Sequence, residues 1–251
     1  MRKNILITLS IAAGLFIGCK EEQKYPTDKK YWDTKDYSEV ISEIKYNTKQ
    51  DEKLPTFDNP ETKLLLEKLT DEENFNVVLN DVQLGIKHRS EVAQSFFDEW
   101  RRMSEIYTMT DRTDKYVYEK ELIEIWNFGL ELQLKYFQLG NEAITERADD
   151  PNSDQIKALT DSNINTMVSN MTHFLDEINK ENSFTTEGHI LIAKAIDKNF
   201  TNLVSTYPDY NFSALLTKTK LLLNKTQSDP IRESLKKLEV QIESTAANNQ
   251  L

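Results

Sequence analysis

Three histidines have carboxylates close by in the sequence, and these side chains are the best suited to acid–base or metal chemistry. His88 and Glu91 are three residues apart, as are His173 and Asp176. On a helix this spacing places both side chains on one face, where they could form an acid–base pair or supply two metal ligands. With 42 acidic residues in the chain, such pairs arise by chance. We therefore interpret these histidines and His189 as surface or capping residues, and predict no catalytic residue, metal site or cofactor.

The spacing of the glycines excludes several common enzyme motifs. Beyond residue 18 the glycines are Gly85, Gly129, Gly140 and Gly188, and the closest two are 11 positions apart. Phosphate-binding loops, dinucleotide-binding motifs and nucleophile elbows need glycines within a few residues, because the backbone must approach a ligand or turn sharply. A di-iron bundle is excluded as well, since no histidine follows a glutamate by three positions. The enzyme class that stays open is a glycan hydrolase that uses paired carboxylates.

The only cysteine of the chain, Cys19, follows a short apolar segment. Two basic residues precede the segment, which runs from Ile5 to Ile17, and Gly18 separates it from the cysteine. This order is typical of a secretory signal. The apolar run is too short for a membrane span, which needs about 20 apolar residues. One cysteine also excludes a disulfide within the chain and a zinc site built from cysteines.

The segment resembles a bacterial lipobox, in which a diacylglycerol is attached to a cysteine and the peptidase cleaves just before it. Gly18 and Cys19 match that pattern, whereas Phe16 and Ile17 replace the usual small residues. The resemblance implies a signal peptide over residues 1–18 and acyl chains on Cys19. An ordinary signal peptide with an incidental cysteine and an uncleaved anchor are the alternatives.

The residues after Cys19 indicate where such a lipoprotein would go. Lys20 stands where many lipoproteins of the inner membrane have aspartate, so the outer membrane is expected. Lys20, Glu21 and Glu22 together resemble the export signal of Bacteroidota-type surface lipoproteins, a lysine followed by acids. We therefore expect a lipid-anchored protein of the outer membrane, and favour the cell surface over the periplasmic face.

The composition argues for a globular body that does not bind nucleic acid. The 251 residues carry 31 basic and 42 acidic side chains, a net charge of −11. Nucleic-acid binding needs a cationic surface that displaces counterions from phosphates. The hydrophobic content of 38% is sufficient for a core in a chain of this length.

Apolar residues recur every three or four positions along most of the chain, which predicts helices. We find no alternating run and no Asn-Gly or Asp-Gly turn of the kind that marks strands and hairpins. The expected fold is an all-α, multi-helix bundle of about eight helices without a sheet, with a helical-repeat array as the alternative. The predicted segments are a lipidated tether over 19–35, a helical domain over 36–244 with a possible sub-boundary near 149–153, and a flexible tail over 245–251.

Local signals indicate where individual helices begin and which faces they bury. Asn59 and Pro60 predict one helix start, and Thr70 with Glu73 predicts a capping box for the next helix. A long helix is expected over about 114–147, which Gly140 would end or bend. A further helix is predicted from Ile156 to Ile178, one that stops before Pro208, and one that opens at Asp229. The expected inner residues of the two longest helices are Val92, Ala93, Phe96, Phe97, Trp100, Met103 and Tyr107, and Leu122, Ile125, Trp126, Gly129, Leu132 and Tyr136.

These observations predict a role in binding and leave enzymatic activity open. The expected function is a lipid-anchored helical protein-binding or scaffold module of the bacterial outer membrane, either a subunit of an envelope assembly or an inhibitor of a toxin. Tyr31 and Trp32 in the tether are candidate partner contacts, although such aromatic residues also fold back onto their own domain. The alternatives are a lipoprotein that binds a glycan or another small molecule, and a carboxylate-dependent glycan hydrolase.

Overall fold

The computed structural model is helical and contains no strand among the residues that it describes. These residues are 25–50, 53–110, 117–155, 157–159, 162, 184–208 and 210–248. The helices are α1 (Thr34–Thr48), α2 (Pro60–Leu69), α3 (Glu73–Leu79), α4 (Ile86–Thr110), α5 (Glu119–Glu146), α6 (Thr186–Ala195), a π-helical turn (Ile196–Phe200), α7 (Thr201–Thr206), α8 (Ser213–Leu223) and α9 (Asp229–Asn248). The helix α6, the π turn and α7 follow one another without a break. Counted as one, they and the other helices with these bounds make eight helical segments. The all-α multi-helix prediction is confirmed.

The helix α5 is buried on two sides and separates two hydrophobic cores. Leu122, Ile125 and Phe128 belong to the first core, which contains side chains of α1, α2, α3 and α4. Ile123 and Leu130 belong to the second core, which contains side chains of α6, α7, α8 and α9. A helix that is apolar around most of its circumference must lie inside the protein. The single inner face predicted for this helix was therefore incomplete, and α5 continues past Gly140 instead of ending there.

The first core is built around the buried ring of Tyr37. Its ring centroid lies 5.2 Å from that of Phe96 and 5.9 Å from that of Phe128. Its hydroxyl donates a hydrogen bond of 2.6 Å to the carbonyl oxygen of Leu69 at the end of α2. Burial raises the pKa of Tyr37 above its ordinary value, so this hydroxyl stays protonated and remains a donor. The phenol group thus connects α1, α2, α4 and α5.

The second core follows the predicted pattern closely. The last helix opens at Asp229, and its seam of apolar residues at steps of four, three and four is buried. The helix α7 ends at Thr206, just ahead of Pro208, as predicted. The seam residues are Ile231, Leu235, Leu238 and Ile242. The helix continues to Asn248, so residues 245–248, which were predicted as part of a flexible tail, are helical.

The two cores share α5, and the division between them therefore runs along one helix. The turn after Glu146, where the sub-boundary near 149–153 was predicted, lies at the end of that helix. The helix predicted from Ile156 to Ile178 falls almost entirely outside the described residues.

The start of the described chain belongs to the folded body. Trp32 is 1% exposed, and its indole N–H donates a hydrogen bond of 2.9 Å to the carbonyl oxygen of Pro26. Tyr25 also packs against the first core. The tether predicted over 19–35 is therefore too long at its C-terminal end, because residues 25–33 contact the domain. No helix in the described part of the chain combines the length and the apolar composition that a membrane crossing requires.

The caps explain where the first helices begin. Asp33 caps α1 by accepting hydrogen bonds from two backbone N–H groups, and the carboxylate of Asp36 accepts one from the backbone N–H of Asp33. Asn59 caps α2 as predicted, with Pro60 in the first helical position. The capping box predicted for Thr70 and Glu73 is wrong.

Thr70 instead ends α2, and its hydroxyl donates a hydrogen bond of 2.9 Å to the carbonyl oxygen of Leu66. The backbone N–H of Glu73 is satisfied by the carboxylate of Asp71 at 3.0 Å. Asp71 lies closer to the start of α3 than Thr70 does. Its carboxylate is the acceptor in the place that the capping-box prediction gave to the Thr70 hydroxyl.

A buried arginine fastens α4 to α5. The guanidinium of Arg89 forms a bidentate ion pair with the carboxylate of Glu142. It also donates to the carbonyl oxygens of Leu79, at 3.2 Å, and Leu84, at 3.0 Å. These partners come from the end of α3, the following loop and α5, so one side chain connects three segments.

The helices α4 and α5 lie close together at Gly129. The indole of Trp100 lies against the backbone of Gly129, and a Cβ atom at that position would overlap its ring. The indole N–H donates a hydrogen bond of 2.6 Å to the carbonyl oxygen of Ile125. Glycine is therefore required here by the contact between the two helices.

Replacing Gly129 by alanine should destabilise the protein, because the indole must move out of its site. Overpacking costs roughly 1–3 kcal/mol, and losing the indole hydrogen bond costs about 1 kcal/mol more. The better helix propensity of alanine offsets about 1 kcal/mol of this. Chemical denaturation should therefore show a loss of about 2 kcal/mol for Gly129→Ala.

Gly85→Ala is the matched control, because a Cβ at Gly85 would meet no atom within 4 Å. Its free energy of unfolding should stay within about 0.5 kcal/mol of wild type. Equal stabilities for the two variants would contradict the proposed contact between α4 and α5.

Candidate functional site

A cleft of about 490 Å³ lies between α1 and α2, on the side of the molecule where the described chain begins. Its walls come from residues 25–27, the second half of α1, the loop 53–55 and the first turns of α2. The volume lies within the range of roughly 300–1,000 Å³ found for small-ligand sites. The cleft is thus large enough to bind a small molecule or part of a partner chain.

The loop beside the cleft is held in place by bonds from three helices. The hydroxyl of Tyr107 donates a hydrogen bond of 2.9 Å to the carbonyl oxygen of Pro55. The buried carboxylate of Glu121 on α5 accepts a bond of 2.7 Å from the backbone N–H of Phe57. Thr62 of α2 donates to the carbonyl oxygen of Thr56 at 2.9 Å. The wall of the cleft is therefore a fixed part of the fold.

The inner surface of the cleft is aliphatic. Ile44, Leu65 and Pro55 line it and are buried in the first core or beside it. Leu64 also lines the cleft, but 48% of its surface is exposed. A ligand that excludes water from this exposed leucine would lower the free energy of the complex.

Three polar side chains in the lining have no hydrogen-bond or ion-pair partner in the described structure. They are Asn47 on α1, Lys53 on the loop and Glu61 on α2. Lys53 and Glu61 have opposite charges but do not pair with each other. Together these groups offer a cationic donor, an anionic acceptor and an amide that both donates and accepts. They are available to a ligand at no cost to the fold.

The lining contains one carboxylate, that of Glu61. Hydrolysis of a glycosidic bond by the usual mechanisms needs two carboxyl groups that face each other across the substrate. The described lining of this cleft therefore lacks the pair of carboxyl groups that this mechanism uses.

A second polar cluster surrounds the π-helical turn, where such turns often mark functional sites. The ammonium group of Lys198 contacts the carboxylates of Glu72, at 2.8 Å, and Glu131. The amide of Asn199 donates a hydrogen bond of 3.1 Å to the side-chain oxygen of Asn127. These bonds join the turn to α3 and α5, and the two carboxylates share one cation instead of flanking an open space. We interpret this cluster as an ion-pair network that stabilises the packing of the turn.

Glu124, one turn before Asn127, is a half-buried carboxyl group beside this network, and its pKa is shifted. Partial burial raises the pKa of Glu124 above its ordinary value, while a hydrogen bond from Asn127 and the charge of Lys198 oppose the rise. A perturbed carboxyl group can indicate a functional site, but ion-pair networks have the same effect.

The two histidines in the described part of the chain belong to no assembled site. His88 is exposed on α4, and His189 lies in the first turn of α6. His173 falls outside the described residues. Within the described chain, no group of three histidine, cysteine or carboxylate side chains is arranged to hold a metal ion.

Tyr31 and Trp32, the two residues predicted to contact a partner, differ in burial. Trp32 is a core residue, so its prediction as a partner contact is wrong: its indole is enclosed by the first core and its N–H is already bonded. Tyr31 is half-buried beneath the ammonium group of Lys30, 4.8 Å from the ring centroid, and its role stays a prediction. Cys19 and the export signal at Lys20, Glu21 and Glu22 fall outside the described residues.

Sequence patterns did not single out the polar residues of the cleft. Asn47, Lys53 and Glu61 form no motif, since they come from two helices and a loop that meet only in the folded protein. The one available signal was the pair Pro55 and Pro60, which marks a stiff loop between two helices.

No protein-family model, no curated protein and no solved structure matches this chain. The function is therefore inferred from the residues and the geometry of this protein.

The perturbed carboxyl group should make the stability depend on pH. The pKa of Glu124 is higher in the folded chain than in the unfolded chain, so the folded state binds more protons between the two values. The free energy of unfolding should then fall as pH rises through this window. Glu124→Gln removes the charge and keeps a group that can bond with Asn127. Its Tm should exceed that of wild type at pH 7, and the difference should disappear as pH falls below the ordinary glutamate value.

Glu105→Gln, at an exposed position of α4, is the control and should leave the Tm unchanged at each pH. A Glu124→Gln variant that matches wild type throughout the titration would show that burial does not perturb this carboxyl group.

Proposed function

We propose that this chain is a lipid-anchored protein-binding module of the bacterial outer membrane. In this proposal acyl chains on Cys19 hold the protein to the membrane, and the helical body binds another protein of the envelope as a subunit or as an inhibitor.

The observation that carries this proposal is the position of the cleft relative to Cys19. Tyr25 and Thr27 form part of the cleft wall, and Cys19 precedes Tyr25 by six residues. Six residues span at most about 20–22 Å even when fully extended. A lipid on Cys19 would therefore keep the cleft close to the membrane surface, where it would meet envelope proteins.

In this proposal the anchor is lipid, and the charge of the body does not contribute to membrane binding. Removal of Arg2 and Lys3 with the signal peptide would change the net charge from −11 to −13, which anionic headgroups repel. Each buried CH₂ of an acyl chain contributes roughly 0.8 kcal/mol, and one chain alone binds only marginally. Two or three chains on Cys19 would supply a stable anchor. The sequence Lys20, Glu21 and Glu22 favours display on the cell surface.

The cleft volume also suits a second candidate function, the binding of a glycan or another small molecule.

Removing the lipid-attachment site should release the protein from the membrane. Cys19→Ser cannot accept a thioether-linked lipid, so immunoblots of fractionated cells should show it leaving the outer-membrane fraction. Ile17→Ala, which brings the segment closer to the usual lipobox, is the control and should stay with the membrane. Retention of Cys19→Ser in the outer membrane would contradict the lipid anchor.

A protein-binding module should also be recovered with its partner. We expect that the full chain, cross-linked in intact cells and purified in mild detergent, carries one envelope protein in a fixed ratio. Isolation as a lone monomer at native and raised expression levels would contradict the proposed function.

A further inference from the structure

We propose that the cleft between α1 and α2 binds a peptide segment of the partner protein, which places an aliphatic side chain on the cleft floor and side chains of opposite charge against Lys53 and Glu61. This inference rests on the proposed function and names the chemistry of the partner.

The floor of the cleft favours an aliphatic side chain. Ile44, Leu65 and Pro55 line it without an exposed aromatic face, and Leu64 extends the same surface into solvent. A leucine or isoleucine side chain placed here would exclude water chiefly from the exposed surface of Leu64, because Ile44 and Leu65 are each 2% exposed.

The polar groups of the lining suit a peptide backbone and its charged neighbours. The amide of Asn47 can donate to a peptide carbonyl and accept from a peptide N–H, so it can satisfy one peptide group as that group loses water. Lys53 and Glu61 add one positive and one negative charge, and neither has a partner in the described structure. A segment with an acid on one flank and a base on the other would complement both charges. Such exposed pairs select the partner more than they raise its affinity.

A glycan is the less suitable ligand. Glycan sites commonly present the face of an aromatic ring to the C–H groups of a sugar. The one aromatic side chain in this lining is Tyr25, and its ring packs against the first core. Burial chiefly raises the pKa of the Tyr107 hydroxyl, and the phenol group of Tyr25 adds to that rise. Tyr25 therefore serves the fold, and the rest of the described lining contains no aromatic ring.

The site is also formed before the ligand arrives. The loop that carries Lys53 and Pro55 is fixed by hydrogen bonds from Tyr107, Glu121 and Thr62. Binding to a fixed wall avoids the free-energy cost of ordering a loop, so a short segment can be retained by few contacts.

Fluorescein-labelled heptapeptides test the proposal by anisotropy on the full chain in mild detergent. Each peptide has a central leucine with aspartate two positions to one side and lysine two positions to the other, made in both orders. The comparison peptides replace the central leucine by serine, or give both flanks the same charge. Maltotetraose and cellotetraose, added as competitors, are the neutral glycan probes. One charge order should bind at least tenfold more tightly than its central-serine analogue.

Two variants identify the site. Leu64→Ser should weaken that peptide at least tenfold, whereas Leu221→Ser, at a leucine of similar exposure on α8, should leave binding unchanged. Exchanging the charges with Lys53→Glu and Glu61→Lys should shift the preference to the opposite charge order. Circular dichroism and thermal melting of each variant show whether the fold is retained.

Binding that is indifferent to the central leucine, to Leu64 or to the charge exchange overturns the proposal, as does displacement by a tetrasaccharide. The cross-linking experiment separates this inference from the proposed function. If an envelope partner is recovered with both wild type and Leu64→Ser while no peptide binds, the cleft assignment is wrong and the protein-binding function stands. If wild type has no partner, the proposed function itself is wrong.

Discussion

The structure depends on one constraint: α5 must be buried on two opposite sides at once. Side chains such as Leu122 and Phe128 enter the first core, while Ile123 and Leu130 enter the second. Neither core is complete without this helix, so its position determines where all its neighbours can pack. The close approach at Gly129 follows from the same constraint, because α4 must lie against a helix whose other side is already occupied. A helical body held together in this way can present a binding surface.

The buried carboxylates of α5 extend that constraint to the surface. Glu121 accepts a hydrogen bond from the backbone N–H of Phe57 and so fixes the loop beside the cleft. Glu131, on the next part of the helix, pairs with Lys198 and holds the π turn. A carboxylate that leaves water must find partners that replace its hydration. On α5 those partners are neighbouring segments, and this requirement links the shape of the cleft to the centre of the protein.

Periodicity predicted the helices well because burial of one face is a local property of sequence. It failed for α5, since a template with one inner face cannot represent a helix that is buried on two. It also failed for Trp32, which looked like part of an exposed tether but folds back beneath α1. The cleft could not be predicted, because Asn47 and Glu61 come together only when α1 and α2 pack. The role proposed for Cys19 could be inferred from sequence alone, because a lipobox is a short local pattern that does not depend on the fold.

The central claim is that α5 joins both cores into one cooperative body that carries the cleft. Native-state hydrogen exchange tests this claim most directly, because it measures the opening free energy of each amide. If α5 joins the two cores, amides of α5, of α2 in the first core and of α9 in the second core should exchange only through global unfolding. Their opening free energies and their denaturant dependence should then be equal. If the amides of α9 instead open at a much lower free energy while those of α2 and α5 stay protected, the two cores are independent and the account is wrong.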